Sequence, residues 1–376
     1  MKIERVESFL LDCGHFVRIT ADDGLSGIGQ SGCWSYPEAV DAVIRAFTPY
    51  LVGQDPLRTE HHAQFLYRMG PFRGSVLSGA VSAVDIALWD LKGKHFEAQI
   101  WQLLGGKCRE RVRLHLLMRA EGTPESVADA VARAARAGYS AVKFDPLPIG
   151  YQDMTLPALV EGTKRLVAAA REAAGSDVDL ILELHRKLTP LQALPLIAEL
   201  AVFRPLFFED PIQIDSIQSQ ADIARRLALP IGSGERLHTV WEFRELLEAG
   251  GTQFVRPDVG LAGGLTGCKK IAAVAESYHA AVVTHNFLGP LLTAACVHLD
   301  ASIPNFVVQE YTEDDEADLS SVFTRTLRRE GGELEVPELP GLGLDLDDAK
   351  VGARGRAEPR TLPMLARKDG SVAYAV

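Results

Sequence analysis

The sequence predicts an α/β protein in which a closed barrel of parallel β-strands follows an N-terminal α+β unit. Two observations favour this fold class. Strand-like and helix-like segments alternate eight times from about residue 112 onward, and three glutamates that each follow a short apolar run lie 26 residues apart. Such a spacing matches one βα unit, and it brings the ends of successive strands to the same rim of a barrel.

The N-terminal unit begins with two β-rich segments, KIERVESFLL and HFVRITADDG, and a turn-like GLSGIGQSG. Helical periodicity follows from about residue 37 to residue 104, and the combination predicts an α+β arrangement. The last predicted helix covers residues 75–106, is apolar on one face and ends at a glycine pair.

Eight strand candidates follow the N-terminal unit, with Ala- and Leu-rich helical segments between most of them. They are residues 114–118, 140–146, 179–184, 205–209, 229–235, 252–258, 280–285 and 305–310. An open doubly wound sheet is the alternative architecture. It usually carries a phosphate-binding loop, but no GxGxxG motif follows the first strand. From about residue 312 the chain is punctuated by Pro and Gly and is expected to return to the N-terminal unit.

Composition and charge narrow the classes of function. The chain has 376 residues, of which 47% are hydrophobic, and is long enough for two domains. The formal net charge is -11 without a basic block, which argues against nucleic acid as a partner. Five scattered cysteines without a CxxC pair indicate a reduced, cytoplasmic protein. Charges interrupt the first apolar run, and no small-residue cleavage site follows, so neither a signal peptide nor a membrane span is expected.

Glu183, Glu209 and Glu235 end three successive strand candidates and are the predicted metal ligands. Any one of them alone would be interpreted as an ordinary solvated loop acid. Three carboxylates in register would repel one another and have raised pKa values unless a cation compensated them. Because a hard divalent ion with oxygen ligands does this best, the sequence predicts a divalent-cation site at this rim.

A histidine and an aspartate at neighbouring strand ends form a candidate catalytic pair. Asp258 ends the sixth strand candidate and His285 ends the seventh, so the two side chains can meet across adjacent strands. An aspartate behind an imidazole fixes its tautomer and raises its pKa, which suits a general base. His185 follows Glu183 by two residues and shares its barrel-facing side, where it is the predicted general acid.

Several motifs together resemble those of the enolase superfamily, in its mandelate racemase/muconate lactonizing enzyme branch. They are AVSAVDIALWDLKGK with IWQLLGG, the three strand-end acids, FFEDP, GER, RPDVGLAGGLT, THNFLGP and VVQE, and they span nearly the whole chain. Within this branch the chain is similar to acid-sugar dehydratases of the D-galactonate dehydratase type.

The resemblance implies a barrel of the modified TIM type with an α+β capping domain. Residues 1–111 would form the capping domain, residues 112–315 the barrel, and residues 316–376 a segment that returns to the capping domain. It also implies one Mg2+ on the three glutamates and a homo-oligomer.

The implied reaction is the dehydration of a sugar acid, an aldonate such as galactonate or gluconate, to a 2-keto-3-deoxy acid. His285 would remove the proton next to the carboxylate, with the resulting enediolate stabilised by the ion, and His185 would protonate the departing hydroxyl. An epimerase or cycloisomerase that uses the same intermediate is one alternative. A non-catalytic protein that binds sugar acids is another.

The second strand bears on the choice between these reactions. Racemases and cycloisomerases of this branch carry a KxK pair there, whereas this chain has Lys143, Phe144 and Asp145, which disfavours a lysine base. Asp145 is expected to bind a sugar hydroxyl. Lys143 is a candidate residue of the substrate-binding site, where it is expected either to neutralise nearby carboxylates or to form a structural ion pair. Glu310, at the end of the eighth strand candidate, resembles a family glutamate that hydrogen-bonds the substrate or its enediolate.

Loop residues and one departure from the family pattern complete the prediction. Tyr36, Arg73 and Tyr151 are candidates for substrate contacts from loops over the barrel mouth, although ordinary loop packing is an equally good interpretation. The family usually has Asp where this chain has Glu183, and the extra methylene moves the carboxylate outward by about 1 Å.

Overall fold

The N-terminal unit is a small antiparallel sheet followed by helices. The computed structural model describes residues 1–119, 122–213, 215–227, 229–313, 319–358 and 365–373. The first three strands pair in the order β1 (Ile3–Leu11), β2 (Gly14–Ala21) and β3 (Ser26–Gln30). Four helices follow, which are α1 (Pro37–Leu51), α2 (Thr59–Arg68), α3 (Ser75–His95) and α4 (Ile100–Leu103). This is the predicted α+β arrangement.

Strand β3 lies unusually close to helix α3 because two of its residues lack a side chain. A Cβ atom on Gly27 would lie 2.1 Å from the carbonyl oxygen of Ala87, and one on Gly29 would lie 1.9 Å from that of Ala83. Both distances are far shorter than a van der Waals contact, so a larger residue at either position would push the sheet away from the helix.

Helix α3 is shorter than the sequence predicts. The prediction of one helix over residues 75–106 is wrong, because α3 ends at His95 and the short helix α4 follows after a break. At the break Ala98 N donates to the Gly93 carbonyl at 2.9 Å, and Glu97 has a left-handed φ of +51°. This is a common helix-ending motif that usually has glycine at the left-handed position. Because this chain has a glutamate there, the sequence carries no signal for the end of the helix.

Eight parallel strands close into the predicted barrel. They are β4 (Arg111–Leu117), β5 (Ala141–Phe144), β6 (Asp179–Glu183), β7 (Phe207–Glu209), β8 (Ile231–Ser233), β9 (Phe254–Val255), β10 (Ala281–Val282) and β11 (Gln309–Tyr311). Neighbours pair in chain order from β4 to β10, and β11 pairs with β4. Phe306, just before β11, bridges Val282 of β10 and so completes the ring. The open doubly wound sheet is therefore excluded.

Helices alternate with the barrel strands. They are α5 (Pro124–Arg136), α6 (Leu156–Ala174), α7 (Pro190–Leu200), α8 (Ile217–Arg226), α9 (Val240–Glu248), α10 (Gly264–Ser277) and α11 (Pro290–Ala301). Buried apolar side chains on the strands or directly beside them form a separate small core, which consists of Ala141, Ile181, Phe207, Val283 and Val308. Such a filled interior makes the barrel a rigid support for the side chains at its rim. Within the described ranges, no helix has both the length and the apolarity to cross a membrane.

The C-terminal segment contacts both the barrel and the first sheet. The antiparallel strands β12 (Arg329–Glu330) and β13 (Glu333–Glu335) extend the sheet beside the N-terminal half of β4. Helix α12 (Asp348–Ala353) lies near β2, where Asp348 pairs with Arg18 at 2.6 Å. The predicted boundary between residues 315 and 316 lies outside the described residues.

Helix α3 supplies the N-terminal caps of a barrel helix. Ser82 Oγ accepts hydrogen bonds from Gly263 N and Gly264 N at 2.9 and 3.1 Å, and Asp85 Oδ2 accepts one from Thr266 N at 3.0 Å. Side chains of the N-terminal unit thereby satisfy free N–H groups at the start of α10. The other oxygen of Asp85 is buried without a hydrogen-bond partner among the described residues, and burial raises the pKa of this carboxyl to about 7.

Asp85 is expected to make the protein less stable as the pH rises from about 4 to about 7. The folded protein holds the Asp85 proton more tightly than the unfolded chain does. Ionisation therefore favours unfolding above the usual pKa of 3.8, and the penalty stops growing above the folded-state pKa. Asp85→Asn should weaken this pH dependence, which urea unfolding at about pH 5 and about pH 8 would measure. Equal pH dependence in the two proteins would contradict the assignment.

Candidate active site

The three predicted metal-binding glutamates lie together at the carboxyl ends of neighbouring strands. Glu183 and Glu209 are the last residues of β6 and β7 and are partners in the strand register, and Glu235 follows β8 by two residues. One ligand oxygen of each lies within 4.8 Å of those of the other two, and all three side chains are buried. The spacing of 26 residues therefore becomes a single cluster in space.

Two buried cations lie among these carboxylates. Lys143 on β5 places its Nζ 3.2 Å from Glu183 Oε2, 3.1 Å from Glu209 Oε1 and 2.6 Å from Glu310 Oε1. Arg256, which is fully buried, contacts Glu209 and Glu310 at 2.6 and 2.5 Å. Burial alone would lower the pKa of both cations, but the charges of Glu209 and Glu310 outweigh it and raise the pKa. Both side chains therefore remain charged.

These cations do not satisfy every carboxylate oxygen. Burial raises the pKa of Glu209 despite Arg256, and the charge of Glu183 adds to this effect. The Oε2 atom of Glu209 is buried without a hydrogen-bond partner among the described residues. Burial would also raise the pKa of Glu183, but His185 and Lys143 hold it at about 2. A buried oxygen without a partner is costly, and the all-oxygen donor set fits a hard divalent cation.

A second network of ion pairs holds Glu235 in place. Arg186 donates to Glu235 Oε1 at 2.9 Å and also pairs with Asp210, while Arg236 Nε lies 3.2 Å from the same oxygen of Glu235. Burial alone would raise the pKa of Glu235, but the charges of His285 and Arg186 lower it well below the usual value. The Glu235 carboxylate is therefore charged and fixed in orientation.

The predicted histidine–aspartate pair is present in the structure. His285 Nδ1 donates to Asp258 Oδ2 at 2.8 Å, because a carboxylate only accepts, and Asp258 Oδ1 accepts from Gly260 N at 2.7 Å. The other imidazole nitrogen, Nε2, lies 3.4 Å from Glu235 Oε2 and 3.9 Å from Glu310 Oε2. Burial alone would lower the pKa of His285, but the charges of Glu235, Glu310 and Asp258 raise it.

The loop after β3 covers this side of the barrel mouth. Gly32 approaches the pair so closely that a Cβ atom on it would lie 2.8 Å from Asp258 Oδ1. The ring of Trp34 meets that of Phe287 edge-on at 6.0 Å, and Phe287 meets the imidazole of His285 in the same way at 5.4 Å. The N-terminal unit thus forms part of the wall beside the catalytic pair.

His185 lies across the barrel mouth from His285, because β6 and β10 are four places apart in a ring of eight strands. His185 and Arg186 have left-handed φ values of +48° and +60°. For any residue other than glycine, this conformation costs about 1 kcal/mol or more. His185 N donates to Glu183 Oε1 at 2.7 Å, and Arg186 N donates to the Asp210 carbonyl at 2.8 Å. These bonds hold the strained turn at the end of β6.

The structure places Asp145 against His185. Asp145 Oδ2 lies 3.3 Å from His185 Nδ1 and also accepts a charged hydrogen bond from Lys187, while Asp145 Oδ1 accepts from Leu147 N at 2.9 Å. Both oxygens thus have protein partners, where the sequence predicted a substrate hydroxyl. The buried ring of Tyr151 lies 5.7 Å from Lys187 Nζ, and burial raises the pKa of this phenol to about 12.

Two predicted substrate residues lie on exposed loops, and no side-chain hydrogen bond, ion pair or ring contact among the described residues joins them to this cluster. Tyr36 is 60% exposed and immediately precedes α1. Arg73 is exposed, with its guanidinium 4.5 Å from the centre of the Tyr67 ring and a hydrogen bond to the Gly70 carbonyl at 2.9 Å. Their role in binding a substrate stays a prediction.

Four charged residues that the structure places in ion pairs with the three glutamates or their partners were not predicted from the sequence, namely Arg186, Asp210, Arg236 and Arg256. Arg256 precedes Asp258 by two residues and therefore lies on the same side of its strand, which is the rule that placed His185 beside Glu183. Applied to every charged residue near a strand end, this rule identifies Arg256. No such signal exists for Arg186, because its position depends on a left-handed turn.

The cluster combines two kinds of chemistry. Three buried carboxylates can hold a hard cation, which in turn can bind an oxygen-rich anion. Two histidines on opposite sides can remove and donate protons at neighbouring atoms of a molecule bound between them.

Comparisons with known families cover both parts of the chain. Residues 14–105 match the mandelate racemase/muconate lactonizing enzyme N-terminal domain, and residues 126–350 match the enolase C-terminal domain-like family. D-galactonate dehydratase of Ralstonia nicotianae (strain ATCC BAA-1114 / GMI1000) is 35% identical, and that of Ralstonia pickettii (strain 12J) is 34% identical. Each alignment covers 99% of this chain and 100% of the relative.

Solved structures show the same architecture. The crystal structure of an enolase from Agrobacterium radiobacter with bound Na and L-malate has a TM-score of 0.93 and 28% identity, and the match covers 100% of both chains. A mandelate racemase/muconate lactonizing enzyme from Jannaschia sp. CCS1 has a TM-score of 0.88 and 32% identity, covering 96% of this chain and 99% of the other.

Proposed function

The chain belongs to the mandelate racemase/muconate lactonizing enzyme branch of the enolase superfamily, and from that premise we propose that it is a Mg2+-dependent dehydratase of sugar acids. Its reaction class is that of a hydro-lyase, as in the relatives that match it over their full length. The proposed substrate is an aldonate, such as galactonate or gluconate, and the product is a 2-keto-3-deoxy acid. The observation that carries the proposal is the position of His285 and His185 on opposite sides of the glutamate cluster.

Proton removal is assigned to His285. Its Nδ1 donates to Asp258, so Nε2 is the atom that accepts the proton from the carbon next to the substrate carboxylate. The electron pair of the broken C–H bond moves onto the carboxylate and gives an enediolate with a second negative charge. Lys143 and Arg256 remain charged and supply part of the positive charge that such an anion requires.

Departure of the hydroxyl is assigned to His185. Hydroxide is a poor leaving group, so the oxygen must receive a proton as the C–O bond breaks. The electron pair returns from the enediolate, forms the C=C bond of an enol and expels water, and the enol then becomes the 2-keto acid. His185 lies across the mouth from His285, so the donor and the acceptor of protons face two sides of a substrate bound between them.

Glu183, Glu209 and Glu235 are the residues that would hold the metal ion. When bound, a divalent ion supplies positive charge against the second negative charge of the enediolate. The fit rests on the buried Glu209 oxygen without a partner and on a donor set of carboxylate oxygens, which suits Mg2+ better than softer ions.

Formation of a keto acid is expected from at least one member of a library of aldonates and aldarates. Because the enediolate needs the charge of the ion, turnover should be lost in excess chelator and restored by Mg2+. A colour assay for 2-keto acids, run on the same enzyme before and after chelation, is the measurement. Full turnover in metal-free enzyme would contradict the proposal.

Two other outcomes identify the alternative functions. Exchange of the proton next to the carboxylate with solvent deuterium, without loss of water, would indicate an epimerase or cycloisomerase. A rise in melting temperature with sugar acids that are never turned over would indicate a binding protein. The carboxylate of Asp145 occupies the position of the second lysine of a KxK pair, which argues against a two-base reaction with lysine.

A further inference from the structure

We propose that Asp145 is a positioning residue, which holds the imidazole of His185 in the orientation required for proton donation. The inference rests on the proposed function, in which His185 protonates the departing hydroxyl. It differs from the substrate contact expected from the sequence, because both oxygens of Asp145 are engaged with protein groups.

The geometry of two neighbouring strands brings the pair together. Strands β5 and β6 are parallel neighbours in which Phe144 is the register partner of Leu182. Asp145 directly follows β5, and His185 lies in the left-handed turn that follows β6. Because the two strands are neighbours, their ends bring Asp145 Oδ2 to 3.3 Å from His185 Nδ1.

The Asp145 carboxylate is itself fixed. Its Oδ1 accepts from Leu147 N at 2.9 Å, a local turn that orients the side chain, and its Oδ2 is held by Lys187. Lys187 lies in turn against the buried ring of Tyr151, 5.7 Å from its centre. An oxygen held in this way is a rigid reference point for the imidazole that bonds to it.

His185 needs such a reference point because its ring is not packed tightly. The side chain of His185 is 22% exposed, and the bonds that hold its turn reach the backbone rather than the ring. A carboxylate only accepts, so the Asp145 contact places the proton of the neutral ring on Nδ1 when the bond forms. The nitrogen Nε2 then lies on the side of the ring away from Asp145, and in the protonated ring it carries the second proton, which is the one donated to the departing hydroxyl. The site therefore contains two Asp–His pairs, Asp258–His285 and Asp145–His185, on opposite sides of the barrel mouth.

Asp145→Ala should separate two activities that a general structural defect would lower together. Elimination should fall by about 10-fold or more, approaching the loss of roughly 10²-fold expected for His185→Asn. Exchange of the proton next to the carboxylate should stay within about 3-fold of the unaltered enzyme, since it depends on His285. Deuterium content of the recovered substrate and keto-acid yield, measured in one reaction, give the ratio. Equal loss of both activities would overturn the positioning role.

A substrate with fluoride in place of the departing hydroxyl provides a rescue. Fluoride leaves without a proton donor, so Asp145→Ala should eliminate it at nearly the rate of the unaltered enzyme. Slow elimination of fluoride would count against the proposal. The matched control is Asp179→Ala, which removes an aspartate that begins β6 and pairs with Arg113 at 2.8 Å at the opposite end of the strand. This variant should leave the ratio of the two activities unchanged.

A measurement without turnover separates this inference from the proposed function. In protein with 15N-labelled histidine, the ring signals of His185, identified by their loss in His185→Asn, should show the proton on Nδ1. In Asp145→Ala those signals should shift toward a mixture of tautomers. If the alanine variant fails to fold, the same shift is expected in the more conservative Asp145→Asn. Unchanged signals would refute the Asp145 contact. If the signals shift in Asp145→Ala but the unaltered enzyme dehydrates no sugar acid, the Asp145 contact is supported and only the proposed function is refuted.

Discussion

His285→Asn is expected to abolish both the dehydration of the substrate and the exchange of the proton next to its carboxylate. Asparagine can still donate a hydrogen bond to Asp258, so the local shape is retained, but it cannot accept the proton at the position of Nε2. Loss of a general base typically lowers the rate by about 10²–10⁴-fold. The measurements are kcat/KM for keto-acid formation and deuterium incorporation into recovered substrate.

Two further variants test whether the loss in His285→Asn is specific to the catalytic pair. Asp258→Asn should weaken both activities, though less than His285→Asn, because the imidazole remains but loses the group that fixes its tautomer. His61→Asn replaces an exposed histidine on helix α2 and should change neither activity. If His285→Asn retained nearly normal exchange, the base would lie elsewhere, with Lys143 and His185 as the next candidates.

The barrel was predictable from the sequence because its strands repeat a simple unit. The apolar runs that end at Glu183, Glu209 and Glu235 lie one βα unit apart, and parallel strands place their carboxyl ends at one rim whatever the details of the helices. The same rule brought Asp258 and His285 together, which the structure shows at 2.8 Å. Periodicity and strand polarity were therefore sufficient for these five residues.

Other features depended on backbone conformations that side-chain patterns do not reveal. The end of helix α3 uses a left-handed Glu97, and the turn after β6 uses left-handed His185 and Arg186. Such conformations are expected at glycine, so a pattern-based prediction extends the helix and gives no position for Arg186. The partners of Asp145 were not predictable for the same reason. The positions of Lys187 and His185 depend on the backbone conformation of this turn.

Lys143→Met is expected to lower the free energy of unfolding by about 3–5 kcal/mol in the presence of chelator, the usual cost of leaving a buried charge without its partner. The Lys143 Nζ lies within 3.2 Å of an oxygen of Glu183, Glu209 and Glu310, and the side chain is 3% exposed. Without it, Glu209 and Glu310 keep their ion pairs with Arg256, but Glu183 loses its lysine partner. Urea unfolding of the variant and the unaltered protein measures the loss.

Mg2+ should recover part of this loss, and that recovery separates the two roles predicted for Lys143. An ion that binds only the folded protein stabilises it, and its positive charge at the three glutamates partly replaces that of the lysine. Lys164→Met is the matched control, since this lysine pairs with Glu199 at the surface and its removal should cost less than about 1 kcal/mol with or without Mg2+. If Lys143→Met lowered the free energy of unfolding as little as Lys164→Met does and only raised KM, Lys143 would be a substrate contact. A large loss of unfolding free energy that Mg2+ reduces would instead show that the lysine neutralises the glutamates. If Lys143 only formed a structural ion pair, the charge of the ion could not replace it.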